Sequence, residues 1–124
     1  MNHSNSNKYK EAFQLANEIK NKGNLEGIIF AYRDGVLIYE NVGDEFNSKN
    51  FTSMCATVLE SAVGIGETIG NQKFKKVIAE LEEKTILIFE CNITTFFILI
   101  LNRESNISYI MNKLEEIIEK VNKM

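Results

Sequence analysis

The chain has no proline, no tryptophan, one histidine and two cysteines in 124 residues. Histidine is the usual general base at neutral pH and the commonest metal ligand. The only one, His3, lies in the polar start Met1–Asn7, so a histidine-based triad and a histidine metal site lack their central residue. Cys55 and Cys91 stand far apart, each without a cysteine neighbour, which excludes a zinc ribbon. Long apolar runs are missing too. The longest, such as Phe96–Leu101, fall far short of the roughly 20 residues a membrane-spanning helix needs, so no membrane insertion is expected. Met1–Asn7 lacks the apolar stretch of a secretory signal. The expectation is a cytoplasmic protein in which both cysteines are reduced, buried thiols. An excess of basic charge is also absent. The formal net charge is -3 and the pI about 5.3, which speaks against general nucleic-acid binding. There is no linker, no internal repeat and no low-complexity segment beyond the Asn/Ser start.

What is present reads as one folded domain. Hydrophobic residues make up 44% of the chain and charged residues 25%, and the length suffices to bury a core without metal or disulfide staples. Residues 1–6 are expected to be disordered or frayed, and residues 7–124 to form a single domain. Charge is unevenly placed. Between residues 25 and 72, seven acidic side chains face two basic ones, a net of -5, which leaves +2 for the rest.

Tyr9, Ala12, Phe13, Ala16 and Ile19 recur at helical spacing, predicting a first helix over about Asn7–Lys22 with Gly23 as its left-handed stop. Leu25–Tyr32 and Val36–Glu40 are β-branched and aromatic runs around Asp34-Gly35, a hairpin turn in which both residues tolerate positive φ. From Phe51, the residues Met54, Cys55, Val58, Ala62, Ile65 and Ile69 mark a second helix, with Asn50 as N-cap and Gly70-Asn71 as stop. Lys73–Leu81, Lys84–Cys91 and Thr94–Leu101 read as three strands joined by turns short enough for antiparallel hairpins. Ile107, Ile110, Met111, Leu114, Ile117, Ile118 and Val121 form the stripe of a last helix capped by Ser105 or Asn106, with Glu116 and Lys120 paired at four-residue spacing. The predicted order is α-β-β-α-β-β-β-α. Five strands in hairpins make one antiparallel sheet, and three amphipathic helices cover both of its faces.

Leu25-Glu26-Gly27-Ile28-Ile29 followed by Tyr32-Arg33-Asp34-Gly35-Val36-Leu37-Ile38 resembles the first hairpin of the roadblock family. Ser105-Asn106-Ile107-Ser108-Tyr109-Ile110 sits where that family has an Asn-Leu-Gly-containing lead into its last helix, with Ser108 where Gly is frequent. The resemblance covers roughly Lys8–Lys123 and rests on the order and spacing of these segments. It implies an α/β fold of the α+β, profilin-like roadblock type. It also implies a homodimer that pairs the second helices and aligns the third strands. The family includes dynein light chains, lysosomal scaffold subunits and partners of small Ras-like GTPases. The resemblance therefore implies a non-catalytic dimeric platform that binds and regulates a small Ras-like GTPase. A structural adaptor tethering larger assemblies, or a small-molecule sensor, are the alternative roles.

The residues allow candidate surfaces to be named. At 100° per residue the apolar side chains of the second helix spread over about 200°, from Met54 round to Ala56, and covering a sheet needs only about half of that. The flank Cys55, Ala56, Leu59 and Val63 is the candidate for a second interface; burial under loops of the same chain is the competing reading. In the third strand, Val77, Ala79 and Leu81 are the candidates for a dimer edge. Its lysines equally suit the guard of a monomeric edge, and the family resemblance selects the dimer. Glu60 and Glu67, one heptad apart, are the candidates for steering a partner with a basic patch; two exposed acids more often form only a solvated face. No catalytic residue, cofactor or metal is expected. The glycines of Val63–Gly70 match neither a phosphate loop nor the dinucleotide spacing, and Gly64 and Gly66 read as close-approach points, helix against helix among the options. The two arginines, Arg33 and Arg103, lie outside the second helix, so any stimulation of GTP hydrolysis is expected to proceed without an arginine finger.

Overall fold

The computed structural model describes residues 9–44 and 46–123. The expected N-terminal fraying and the first residues of the expected helix, Asn7 and Lys8, lie outside them. Three helices and five strands follow one another as α1 (Lys10–Gly23), β1 (Gly27–Tyr32), β2 (Leu37–Asn41), α2 (Ser48–Thr68), β3 (Lys76–Glu80), β4 (Thr85–Glu90), β5 (Thr95–Leu101) and α3 (Ile107–Asn122). This is the expected order.

All strand pairings are antiparallel, and the strand order across the sheet is β2-β1-β5-β4-β3. β5 is central and buried along its whole length, because its alternate residues feed two cores. Phe97, Leu99 and Leu101 join Ile28, Phe30, Leu87 and Phe89 under α1 and α3. Phe96, Ile98 and Ile100 join Ile29, Ala31, Ile86 and Ile88 under α2. Helices thus cover both faces, and the strand alternation explains why β1, β4 and β5 read as nearly unbroken apolar runs.

Local chemistry sets the ends of the elements. Gly35 takes φ +97° in the β1–β2 turn, and the Asp34 carboxylate accepts from the Val36 N–H at 3.1 Å. Asn92 Oδ1 accepts from the Thr94 and Thr95 N–H groups, both at 2.9 Å, and so closes the β4–β5 turn. Asn106 caps α3 by accepting from the Tyr109 N–H at 3.1 Å. Its own N–H donates to Gly23 O at 2.8 Å, which ties α3 to the end of α1. Ser108 is exposed, so the departure from glycine there meets no packing constraint. No helix among the described residues is long and apolar enough to cross a membrane.

Several local expectations are corrected. The left-handed residue after α1 is Asn24, at φ 58°, not Gly23. Gly23 is the last helical residue, and it is needed for closeness: a Cβ there would lie 2.8 Å from Ile110 Cγ1. The cap of α2 is Asn47, whose side chain accepts from the Asn50 N–H at 3.3 Å, so the helix starts before Asn50. Its first turn is polar because Ser48 turns inward and bonds the Glu40 carboxylate. Glu116 pairs with Lys113 at 3.2 Å, and Lys120 reaches across to Glu11 of α1 at 3.6 Å, so the expected Glu116–Lys120 pair is replaced by one contact within α3 and one between helices. β3 is shorter than expected, since pairing with β4 runs only from Lys76↔Phe89 to Glu80↔Thr85.

Candidate functional site

The thiols are the first groups to test for chemistry. Cys55 is buried under α2, and Cys91 is buried at the end of β4. Burial pushes the Cys55 thiol up to about 11 and the Cys91 thiol up to about 12. Both are therefore neutral near pH 7 and unsuited to nucleophilic attack. Among the described residues no group of His, Cys, Asp and Glu is placed to hold a metal ion.

The surface of α2 is more informative. Cys55, Ala56 and Leu59, expected on a second surface, face the chain's own sheet, and Val63 packs against the same core. The apolar residues that reach the surface are Met54 (61% exposed), Val58 (43%), Ile65 (61%) and Ile69 (66%). The apolar arc of about 200° is therefore wider than the sheet needs, as the wheel indicates, but the sheet takes its other half. On the sheet side the small Cys55 and Ala56 pack beside the fully buried Leu59, while Met54, Val58 and Ile65 stay exposed on the other flank.

The opposite flank of α2 carries the acidic pair. Glu60 is exposed and lies 3.9 Å from Arg33 Nη2. Arg33 in turn puts Nη1 2.5 Å from Glu90 Oε2. Glu67 is exposed farther along and lines a cleft with Val63, Gln72, Lys73, Phe74 and Glu90. The two acids do not form one cluster: Glu60 is engaged by an arginine of its own chain, and Glu67 borders the cleft.

The glycines of α2 separate as well. A Cβ on Gly66 would run into the Gln72 carbonyl oxygen, because the chain doubles back after the helix and the Gln72 N–H donates to Gly66 O at 2.9 Å. Gly64 has nothing within 4 Å of a Cβ position. The close approach at Gly66 is thus made by the following turn of the same chain.

At the sheet's edge, β3 has β4 on one side and, among the described residues, no strand on the other. Val77 and Ala79 are half-buried on the α2 face. Leu81, expected as part of the strand, lies just beyond it and is exposed at the β3–β4 turn. Sequence reasoning missed the stripe of Met54, Val58, Ile65 and Ile69 as the exposed side.

No family model and no curated protein matches the sequence. Solved structures do match in shape. The chain is similar to MglB of Myxococcus xanthus, with a TM-score of 0.84, 11% identity and coverage of 93% of this chain and 94% of that one. It is similar to an MglB in a tetrameric arrangement, with a TM-score of 0.81, 10% identity and coverage of 94% and 88%. It is also similar to a Roadblock/LC7 domain from Streptomyces avermitilis, with a TM-score of 0.81, 12% identity and coverage of 90% and 94%. The chain has the roadblock fold.

Proposed function

We propose that the chain is a non-catalytic, dimeric platform that binds a small Ras-like GTPase and alters its nucleotide cycle. The observation that carries this reading is the pair of unpartnered surfaces just described. The Met54, Val58, Ile65 and Ile69 stripe exposes large aliphatic side chains on a regular helix, and β3 offers a row of unpaired backbone groups. A one-sheet domain of this size gains by covering both, and apolar area of this kind marks protein contact sites. The dimer interface proposed here is the α2 stripe with the β3 edge at Val77 and Ala79. Of the flank expected from sequence, Val63 alone is not deeply buried.

The roadblock fold and the sequence resemblance to that family support a GTPase partner. Glu60 and Glu67, on the flank of α2 away from the stripe, remain exposed and are proposed to face the partner.

Two measurements test this. Sedimentation is expected to show a dimer at micromolar concentration. Small GTPases of the same genome, loaded with GDP or with a non-hydrolysable GTP analogue, are expected to bind in one nucleotide state in preference to the other. Equal binding in both states would replace regulation with tethering, and a monomer would remove the dimer.

A further inference from the structure

The helical layer over one face of the sheet stops short of β3. β3 sets Lys76, Ile78 and Glu80 opposite Phe89, Leu87 and Thr85 of β4. Leu87 and Phe89 belong to the core under α1 and α3, so these three β3 residues share that face. All three are exposed, Ile78 to 52%. α1 sits on the far side, where Phe13 stacks on Tyr39 of β2 with ring centres 4.7 Å apart. α3 runs beside it over β5 and β4, and the Asn122 side-chain amide donates to the carbonyl of Cys91, just past β4, at 3.1 Å. Among the described residues, nothing helical lies over β3 on this face.

The flank of α3 that looks toward β3 is apolar. At 100° per residue, Ile107, Met111 and Ile118 fall within about 40° of one another. They lie opposite Tyr109 and Lys120, which border α1: the Tyr109 ring lies 3.5 Å from where Gly23 would carry a Cβ, and Lys120 pairs with Glu11 at 3.6 Å. Met111 and Ile118 are half-buried against the core, and Ile107 is 59% exposed. Toward solvent, the same flank ends in Glu115 and Glu119, both exposed. Glu115 forms no ion pair among the described residues, and Glu119 reaches Lys123 only at 3.9 Å.

We infer that this strip is half of a trough, shared by two copies of the chain, that holds one basic amphipathic helix of a partner protein. This rests on the dimer proposed above, in which the β3 edges lie side by side. With α3 seated over β5 and β4, the β4 and β3 strands of both copies separate the two α3 axes. At a spacing of about 4.8 Å, those four strands span about 19 Å. Helices in contact keep their axes about 8–10 Å apart. One helix therefore fits between the two α3 flanks and touches both, and a second does not. Its underside meets Ile78 of each copy, and its sides meet Ile107, Met111 and Ile118. The acids at both rims match lysine or arginine on the shoulders of the occupant and oppose an anionic surface. The trough opens on the face away from α2, so a helix bound there leaves the α2 face free. The chain thus has room for a second partner beside a GTPase.

A synthetic leucine–lysine peptide tests this. It has about 18 residues, roughly 27 Å as a helix, with leucines at helical spacing. One control has the same composition without that period, and another has glutamate in place of lysine. Titration calorimetry on the wild-type chain is expected to give one peptide per two chains and little binding of either control. Ile107→Glu and Glu115→Lys change exposed positions that lie on neither β3 nor α2. Both variants are expected to stay dimeric in sedimentation and to bind the peptide about tenfold more weakly or worse. No binding, equal binding of a control, or variants that bind like the wild type would overturn the trough while leaving the dimer standing. One peptide per chain in an intact dimer would overturn the sharing. A wild-type tetramer that Ile107→Glu reduces to a dimer would give the trough to a second dimer of this chain and overturn the partner helix. A wild-type chain that is monomeric at micromolar concentration would overturn the dimer itself, and the shared trough with it.

Discussion

The Arg33 guanidinium bridges two strands that are not neighbours: it follows β1, and its Nη1 lies 2.5 Å from Glu90 Oε2 at the end of β4, with β5 between them. Its second nitrogen faces Glu60 on α2 at 3.9 Å, and its backbone N–H donates to Thr94 O at 2.9 Å. One residue, through its side chain and its backbone N–H, therefore fastens the helix and three strand ends at one corner of the sheet.

A side chain held this way is not free to enter a partner's phosphate site. Arg33→Ala is expected to lower stability by about 1–2 kcal/mol, a partly exposed charge-assisted bond being worth no more. Urea unfolding measures this. In single-turnover hydrolysis with a bound GTPase, neither Arg33→Ala nor Arg103→Ala is expected to cause the loss of about a thousandfold that follows removal of a true arginine finger. A loss of that size with binding intact would identify a finger.

The two sides of α2 are expected to answer differently to substitution. Leu59 is fully buried, and Leu59→Ala is expected to cost about 2–5 kcal/mol through lost burial and a cavity. Met54→Asp and Ile65→Asp are expected to leave the folded monomer intact by circular dichroism, since both side chains are mostly exposed. The same two variants are expected to abolish self-association in sedimentation. If they dimerise like the wild type, the stripe is not the interface.

These contrasts show where the sequence is legible. The order of elements is readable because the hydrophobic period changes sharply at Gly23, at Phe51 and again after Asn71, and because Asp34-Gly35 admits only a tight turn. The stripe of α3 is readable because Ile110, Leu114, Ile117 and Val121 have no competing apolar arc. On α2 there are two candidate faces, and a helical wheel does not say which one the sheet takes; the sheet takes Cys55, Ala56 and Leu59. The start of α2 is hidden because its first turn is polar: Ser48 bonds Glu40, and the capping side chain is Asn47, which accepts from the Asn50 N–H. Gly66 is explained only by the backbone of Gln72, a contact that no periodicity encodes.

Gly64 and Gly66 give a paired prediction. Gly66→Ala forces the new methyl group against the Gln72 carbonyl and is expected to destabilise the fold or shift the turn that follows α2. Gly64→Ala meets open space and is expected to stabilise the helix by up to about 1 kcal/mol, the usual difference between the two residues inside a helix. Thermal unfolding of both variants, at a concentration where the chain is monomeric, separates them. A destabilised Gly64→Ala would mean that a neighbour reaches this position.

The buried thiols make stability depend on alkaline pH. Burial raises Cys91 from its ordinary value of 9.0 to about 12, so the folded state holds the thiol proton after the unfolded chain has lost it. The native state then binds more protons than the unfolded one, and stability falls as pH rises. The contribution is fully present below about pH 9 and is lost as pH rises toward 12. Within that window the slope approaches about 1.4 kcal/mol per pH unit for this one group. Cys91→Ala removes the thiol and adds a packing cost that does not depend on pH. Under reducing conditions, the stability difference between wild type and this variant is expected to be constant from pH 6 to 8. Above pH 9 the wild type should lose ground relative to the variant. A parallel pair of urea-unfolding curves through pH 11 would show that Cys91 ionises as easily in the folded chain as in the unfolded one.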